Sequence, residues 1–227
     1  CYPSVKDVPG NVDCAVIVVK RELVVGVLND CKAKGVGAAI VITAGFGETG
    51  AEGRKLQQQL TQTAREGRIT LMGPNCLGLI NPWHKLNASF GLGLDIPGPV
   101  GLVSQSGALL TSVQDLAAGT KLGFSVLVSI GNKAAVDEVD LLQVLHTDEN
   151  TKVIAGYLED VGRGQEFMKV TERVSKDKPV VILKSGRTLA GAKAASSHTG
   201  SLAGADVAYA CAFERTGVIR ADSLEHL

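Results

Sequence analysis

Along residues 14–72, short β-branched runs alternate with longer stretches whose apolar positions return every three or four residues. The run CAVIVV (14–19) is followed by helix-period positions over 22–34, the run AAIVIT (38–43) by another such stretch over 51–66, and ITLM (69–72) closes the series. Apolar runs of four to six residues between turn signals predict buried strands, and a 3.6-residue period predicts helices that bury one face. The resulting order, β-α-β-α-β, predicts parallel strands joined by helical crossovers. From 73 to 99 this rhythm fails. The segment is rich in Gly, Pro and Asn, with one strand-like piece near 88–90, and it reads as the seam between two domains, 1–92 and 93–227.

Beyond the seam the alternation restarts. Strands are predicted at 100–103, 124–130, 153–158, 180–184 and 217–220, and helices at 107–118, 136–145, 165–176 and 206–216. Five strands with interleaved helices predict a flavodoxin-like, doubly wound parallel sheet, so the chain is assigned to the α/β class. The opening CYPSVKDVPGNVD reads as a loop entering a second or third strand. A nucleotide-type α/β domain ordinarily starts with a strand, a Gly-rich turn and a helix, so the first domain is expected to be an N-terminally truncated Rossmann-like unit.

Composition narrows the partners. The 227 residues carry 23 basic and 23 acidic side chains, which leaves no electrostatic footprint for nucleic acid or an anionic membrane and favours small ligands or a protein partner. No apolar run reaches the ~18 residues of a membrane span and no basic-then-apolar leader is seen, so a soluble, cytoplasmic protein is expected. The five cysteines (Cys1, Cys14, Cys31, Cys76, Cys211) form no CxxC pair. They are expected to be free, mostly buried thiols rather than a disulfide frame or metal ligands.

Three stretches carry candidate chemistry. GFGETG (45–50) fits the GxGxxG pattern between a strand and a helix, but the ribose-binding acid expected ~20 residues later is missing, because the next strand ends in MGPN. A plain turn that needs glycine is the favoured reading over direct phosphate contact. SQSG (104–107) opens a helix after a strand. It reads either as an anion seat, in which amides and the helix dipole meet a phosphate near Ser104, Ser106 and Gly107, or as an ordinary serine N-cap. His198 lies in SSHTGSLAG, beyond the strand at 180–184. A lone histidine is most often incidental, but Glu159 and Asp160 end the strand at 153–158, and Ser104 ends another. One crevice at the C-terminal sheet edge could then hold a phosphate seat, a nucleophilic imidazole and a carboxylate that fixes its tautomer, the parts of a covalent phosphotransfer site. His84, His146 and His226 lack such company and read as surface residues.

GPNCLGLINP (73–82), GLVSQSGAL (101–109), GYLEDV (156–161) and SSHTGSLAG (196–204) occur in the order found in ADP-forming acyl-CoA synthetases, relatives of the succinyl-CoA synthetase α subunit, and the chain resembles that family over nearly its whole length. The resemblance implies a CoA-binding Rossmann-like domain followed by a CoA-ligase domain of flavodoxin type. It implies that His198 is transiently phosphorylated, that Glu159 hydrogen-bonds it, that Ser104, Ser106 and Gly107 cradle phosphate, and that Thr43, Ala44, Gly45, Asn75 and Cys76 line the CoA and acyl end. It further implies coenzyme A as a substrate, ADP/ATP and Mg on an ATP-grasp β subunit or domain, and no metal on this chain. The family's first βα unit with its Gly-rich CoA loop is absent here, as is the ATP-grasp module. Lys20 replaces a frequent proline, where it could meet a CoA phosphate or, as favoured, face solvent. The alternative is a CoA-sensing module of a larger protein, such as an acetyltransferase fusion, which would need neither His198 nor Glu159. A pure assembly scaffold would not explain the helix start at 104–107.

Overall fold

The structure is a computed structural model of the 227-residue chain, and it describes residues 1–91, 93, 96–186 and 206–227. The first unit is a parallel sheet in the order β1 (Cys14–Ile17), β2 (Ala38–Val41), β3 (Thr70–Met72). Helix α1 (Arg21–Lys34) connects β1 to β2 and α2 (Ala51–Gly67) connects β2 to β3. On α1 the buried Val24, Leu28 and Cys31 recur at the four- and three-residue spacing that keeps one face inward. Gly35 ends that helix in the left-handed conformation (φ 79°), where its N–H closes on the carbonyls of Cys31 and Lys32. These residues pack with Ile17, Ala39, Val41, Leu60 and Leu71 into one apolar cluster.

The second sheet has the order β10–β9–β8–β6–β7–β4–β5, formed by β4 (Gly78–Asn81), β5 (Leu86–Ser89), β6 (Pro97–Ser104), β7 (Phe124–Ser129), β8 (Val153–Leu158), β9 (Val180–Lys184) and β10 (Ile219–Ala221). Its five parallel members, taken in chain order from β6, run 2-1-3-4-5, which is the flavodoxin order. Helix α3 (Gly107–Thr120) covers one face, through Leu110, Val113 and Ala117 on Leu102 and Leu127. Helices α4 (Glu138–Thr147), α5 (Gly164–Val174) and α6 (Asp206–Thr216) cover the other, through Leu142, Phe167 and Phe213 on Val103, Ile154 and Ile182. Neighbouring residues such as Leu102 and Val103 point to opposite faces, and both faces are covered. The sheet is therefore doubly wound, and β7 is buried along its whole length.

The segment from 73 to 99 departs from the expected loop. Strands β4 and β5 form an antiparallel hairpin, and β4 pairs antiparallel with β7, Leu79 opposite Val128 and Ile80 opposite Leu127. The second sheet is consequently mixed rather than purely parallel, and a hairpin within the stretch expected to form the first domain completes the second sheet. The short apolar run Leu79-Ile80 lacked a helical or alternating period long enough to mark it as a strand. The two units interlock at this point. Asn132 and Ala134, after β7, donate backbone N–H to the Pro74 and Gly73 carbonyls, and the Asn75 N–H reaches the Thr43 carbonyl. Gly131 has φ 54°, and a Cβ there would lie 2.4 Å from the carbonyl oxygens of Pro74 and Asn75, so only glycine permits this approach. Among the described residues no helix is long and apolar enough to cross a membrane.

Candidate functional site

β6 lies between β7 and β8, and the chain leaves it toward one side and returns on the other, which puts the topological switch point at the C-terminal ends of β6 and β8. Ser104 is the last residue of β6, in register with Tyr157, and Glu159 follows β8 directly. The order of strands thus brings the SQSG turn and the Glu159 turn side by side, as a shared crevice requires. His198 lies outside the described residues.

Ser104 is fully buried. Its hydroxyl accepts from the Ser106 N–H (3.1 Å) and donates to the Ser106 carbonyl (2.6 Å), which shapes the turn rather than presenting the hydroxyl to solvent. Ser106 is the N-cap of α3, with its hydroxyl accepting from the Leu109 N–H (3.2 Å). The N-cap reading of SQSG is therefore correct. It leaves the anion-seat reading open, since the Gly107 and Ala108 amides meet no acceptor among the described residues.

Gln105, which sequence reasoning passed over, joins the two turns. Its Oε1 accepts from the Glu159 N–H (2.5 Å) and the Asp160 N–H (3.1 Å), and its Nε2 donates to Asp160 Oδ1 (2.6 Å). Glu159 itself is buried. Lys133 Nζ reaches Asp160 Oδ1 (2.8 Å) and the Asp160 carbonyl (3.1 Å), and lies 3.1 Å from the buried Glu138 carboxylate. The Val161 N–H ends on the Tyr209 hydroxyl (3.2 Å), and Lys184 Nζ sits 4.5 Å above the Tyr209 ring. Burial pushes the Lys184 ammonium below the usual lysine range. Apart from the Lys133–Glu138 pair, these contacts connect residues 25 to 55 positions apart, and no spacing rule predicts them.

The residues expected at the CoA and acyl end meet around the junction of the two units. Thr43 donates its hydroxyl to the Val19 carbonyl (2.7 Å), Ala44 is exposed, and Asn75, in a left-handed conformation (φ 57°), donates to Asn132 Oδ1 (3.2 Å). Cys76 turns inward instead. Its thiol donates to the Val41 carbonyl, and burial pushes its pKa up to about 12, so it is a packing group rather than a reactive thiolate.

The GFGETG turn is closed by its own carboxylate. Glu48 accepts from the Gly45 N–H (2.5 Å), the Phe46 N–H (3.1 Å) and Asn132 Nδ2 (2.5 Å), while the Gly47 N–H is taken by Gln57 (3.0 Å). Burial, the largest influence, raises the Glu48 pKa, but the bonds from Asn132, Gly45 and Phe46 outweigh it and hold the carboxyl below its usual range. The Gly45, Phe46 and Gly47 amides thus find acceptors within the chain, as a plain glycine turn requires. Lys20 is exposed.

Two of the cysteines are buried, Cys31 and Cys76. Cys1, Cys14 and Cys211 are exposed, which corrects the expectation of mostly buried thiols: Cys14 lies on the edge strand β1, and Cys211 on the outer side of α6. His84 and His226 are exposed, whereas His146 is half-buried and paired with Asp177 (2.7 Å). Among the described residues no group of three or more His, Cys, Asp or Glu side chains is placed to hold a metal ion.

Residues 97–227 match the succinyl-CoA ligase like flavodoxin domain, and residues 1–82 match a CoA binding domain. The α subunit of acetate–CoA ligase [ADP-forming] I from Pyrococcus furiosus is 49% identical over 220 residues, spanning 97% of this chain and 48% of that protein. Acetate–CoA ligase [ADP-forming] I from Archaeoglobus fulgidus is 48% identical over 227 residues, all of this chain and 33% of that one. Among solved structures, the dinucleotide forming acetyl-coenzyme A synthetase 1 of Ca. Korarchaeum cryptofilum, in complex with phosphate and ADP, superposes with a TM-score of 0.95 at 44% identity, over 99% of this chain and 48% of that one. The chain spans about a third to a half of the length of these relatives. With both of its units matched in order, the chain belongs to the family of the succinyl-CoA ligase like flavodoxin domain, here preceded by a CoA binding domain.

Proposed function

We propose that the chain is the α-type part of an ADP-forming acyl-CoA synthetase, an acid–thiol ligase that interconverts acyl-CoA, ADP and phosphate with the free acid, CoA and ATP. The observation that carries this reading is the Gln105 bridge, which holds the SQSG helix start and the Glu159 turn together at the switch point of the second sheet. In the first step a phosphate oxygen attacks the thioester carbonyl, the C–S bond breaks and CoA leaves as the thiolate, giving an acyl phosphate. In the second, an imidazole nitrogen of His198 attacks phosphorus and the carboxylate leaves. In the third, a β-phosphate oxygen of ADP attacks the phosphohistidine, the P–N bond breaks and ATP forms.

Each residue group has a part in this scheme. Ser104 and Ser106 shape the turn that presents the Gly107 amide and the α3 dipole to the phosphoryl group. Glu159 accepts the other ring N–H of His198 and fixes its tautomer. Thr43, Ala44, Gly45 and Asn75 border the CoA and acyl end, with Cys76 packing beneath them. The nucleotide and its Mg belong to an ATP-grasp β subunit or domain, and the location is the cytoplasm.

The test is made on the whole protein, with acetyl-CoA, ADP and phosphate. Wild type is expected to form ATP and to gain acid-labile, base-stable label from labelled acetyl phosphate, and His198→Ala to do neither. ATP formation by His198→Ala would remove His198 as carrier and favour a CoA-sensing module.

A further inference from the structure

Lys133 has a geometry that the three reaction steps do not themselves require. It is only 10% exposed, and its backbone is left-handed (φ 53°). Glycine adopts that conformation freely, as Gly131 does two residues earlier, whereas a residue with a Cβ adopts it at a cost. The side chain at 133 must therefore offset the strain of its own backbone.

Its contacts indicate how. Nζ lies 2.8 Å from Asp160 Oδ1 and 3.1 Å from the Asp160 carbonyl, so one ammonium fixes both the side chain and the peptide of a single residue. Gln105 takes the same carboxylate from another direction, and the three successive N–H groups of Glu159, Asp160 and Val161 all end on side chains from other elements. Two adjacent carboxylates at one sheet edge offer an imidazole two competing acceptors and repel each other. Pairing one of them with a buried ammonium removes the competition. Burial disfavours the Lys133 charge, but Glu138 and Asp160 hold its pKa above the usual lysine value, so the cation is present throughout the neutral range.

We propose that Lys133 is a positioning residue: by pairing with Asp160 it fixes the turn and leaves Glu159 as the single carboxylate that meets the phosphoryl-carrying imidazole. This rests on the proposed role of Glu159.

The experiment is a double-mutant cycle in the whole protein, comparing wild type, Lys133→Met, Asp160→Asn and the double variant, with Glu159→Gln as reference. ATP formation is followed at saturating acetyl-CoA, ADP and phosphate, alongside KM for acetyl-CoA and thermal melting. Lys133→Met is expected to lower kcat about tenfold or more with KM changed less than about threefold, as loss of an orienting contact does. In the Asp160→Asn background its effect on kcat should shrink at least about fivefold, because the Asp160 charge that competes for the imidazole is gone, while the Glu138 partner of Lys133 is the same in both backgrounds. An equal effect in both backgrounds, or a kcat within about threefold of wild type while Glu159→Gln is impaired, overturns the inference and leaves the Glu159 role standing. Full activity of Glu159→Gln overturns both. Should Lys133→Met melt below the assay temperature, Lys133→Gln, which keeps a donor but no charge, is read by the same criteria.

Discussion

Two turns in this molecule share a plan and differ in outcome. Gly45–Gly50 and Ser104–Gly107 both follow a parallel strand, both contain glycine, and both gather backbone N–H groups at a helix entry. In the first, Glu48 and Gln57 satisfy the amides of Gly45, Phe46 and Gly47, and the turn is complete without a ligand. In the second, serine side chains satisfy the amides of Ser106 and Leu109, and those of Gly107 and Ala108 stay open to an acceptor from outside the described residues. Glycine spacing thus reports where amides converge. Whether an anion can enter depends on the side chain already sitting there.

Four substitutions sharpen this contrast. The largest effect belongs to Gly53→Ala beneath the first turn. A Cβ there would lie 1.7 Å from the Phe46 carbonyl oxygen and 2.4 Å from Thr49 Oγ1, so a loss of about 3 kcal/mol or more in a denaturant titration is expected. Glu48→Ala comes next. It leaves the Gly45 and Phe46 amides and the Asn132 side chain without their acceptor, and should cost about 2 kcal/mol of stability in the same assay. Gly107→Ala should behave in the opposite way. A Cβ there meets Leu77 at an ordinary 3.4 Å and alanine favours a helix, so stability should change by less than about 1 kcal/mol. If the Gly107 amide seats the phosphoryl group, phosphoryl transfer should nevertheless slow about tenfold, because a Cβ narrows the close approach to that amide; an unchanged rate would remove the seat.

The smallest effect is a pH dependence. Glu48 has a folded pKa below its unfolded value of 4.5, so its contribution is fully present above that value and is lost as pH falls through the folded one. The melting-temperature gap between wild type and Glu48→Gln should be widest above about pH 5 and narrow in acid. A gap that is constant with pH would show that the carboxylate charge is not what closes the turn.

Much of the architecture was legible because repeated apolar periods carry it. Helix 206–216 was read to the residue, and β6 through β10 appeared in sequence as buried runs. Strands β1 and β2 stop two residues short of their apolar runs, and Val18 and Val19 beyond β1 are exposed. The strand-like piece near 88–90 overlaps β5, whereas β4 and its antiparallel pairing with β7 leave no mark in the apolar pattern. At the site, Ser104 and Glu159 could be placed by their position after strands, a rule of fold. Gln105, Lys133 and Tyr209 could not, because their importance lies in contacts between segments that the sheet order brings together.

The hairpin also has a consequence for anyone who wishes to dissect the chain. The CoA binding match ends at residue 82 and the flavodoxin match begins at 97, so a cut guided by families would fall between them. Such a cut separates β4 from β7 and strips the outer edge from Leu127 and Val128, leaving the excised second half with a bare, apolar strand on which other molecules could stack. The ancestry of the two halves can be divided there; the physical object is better divided before Gly73, upstream of the segment that stitches them together.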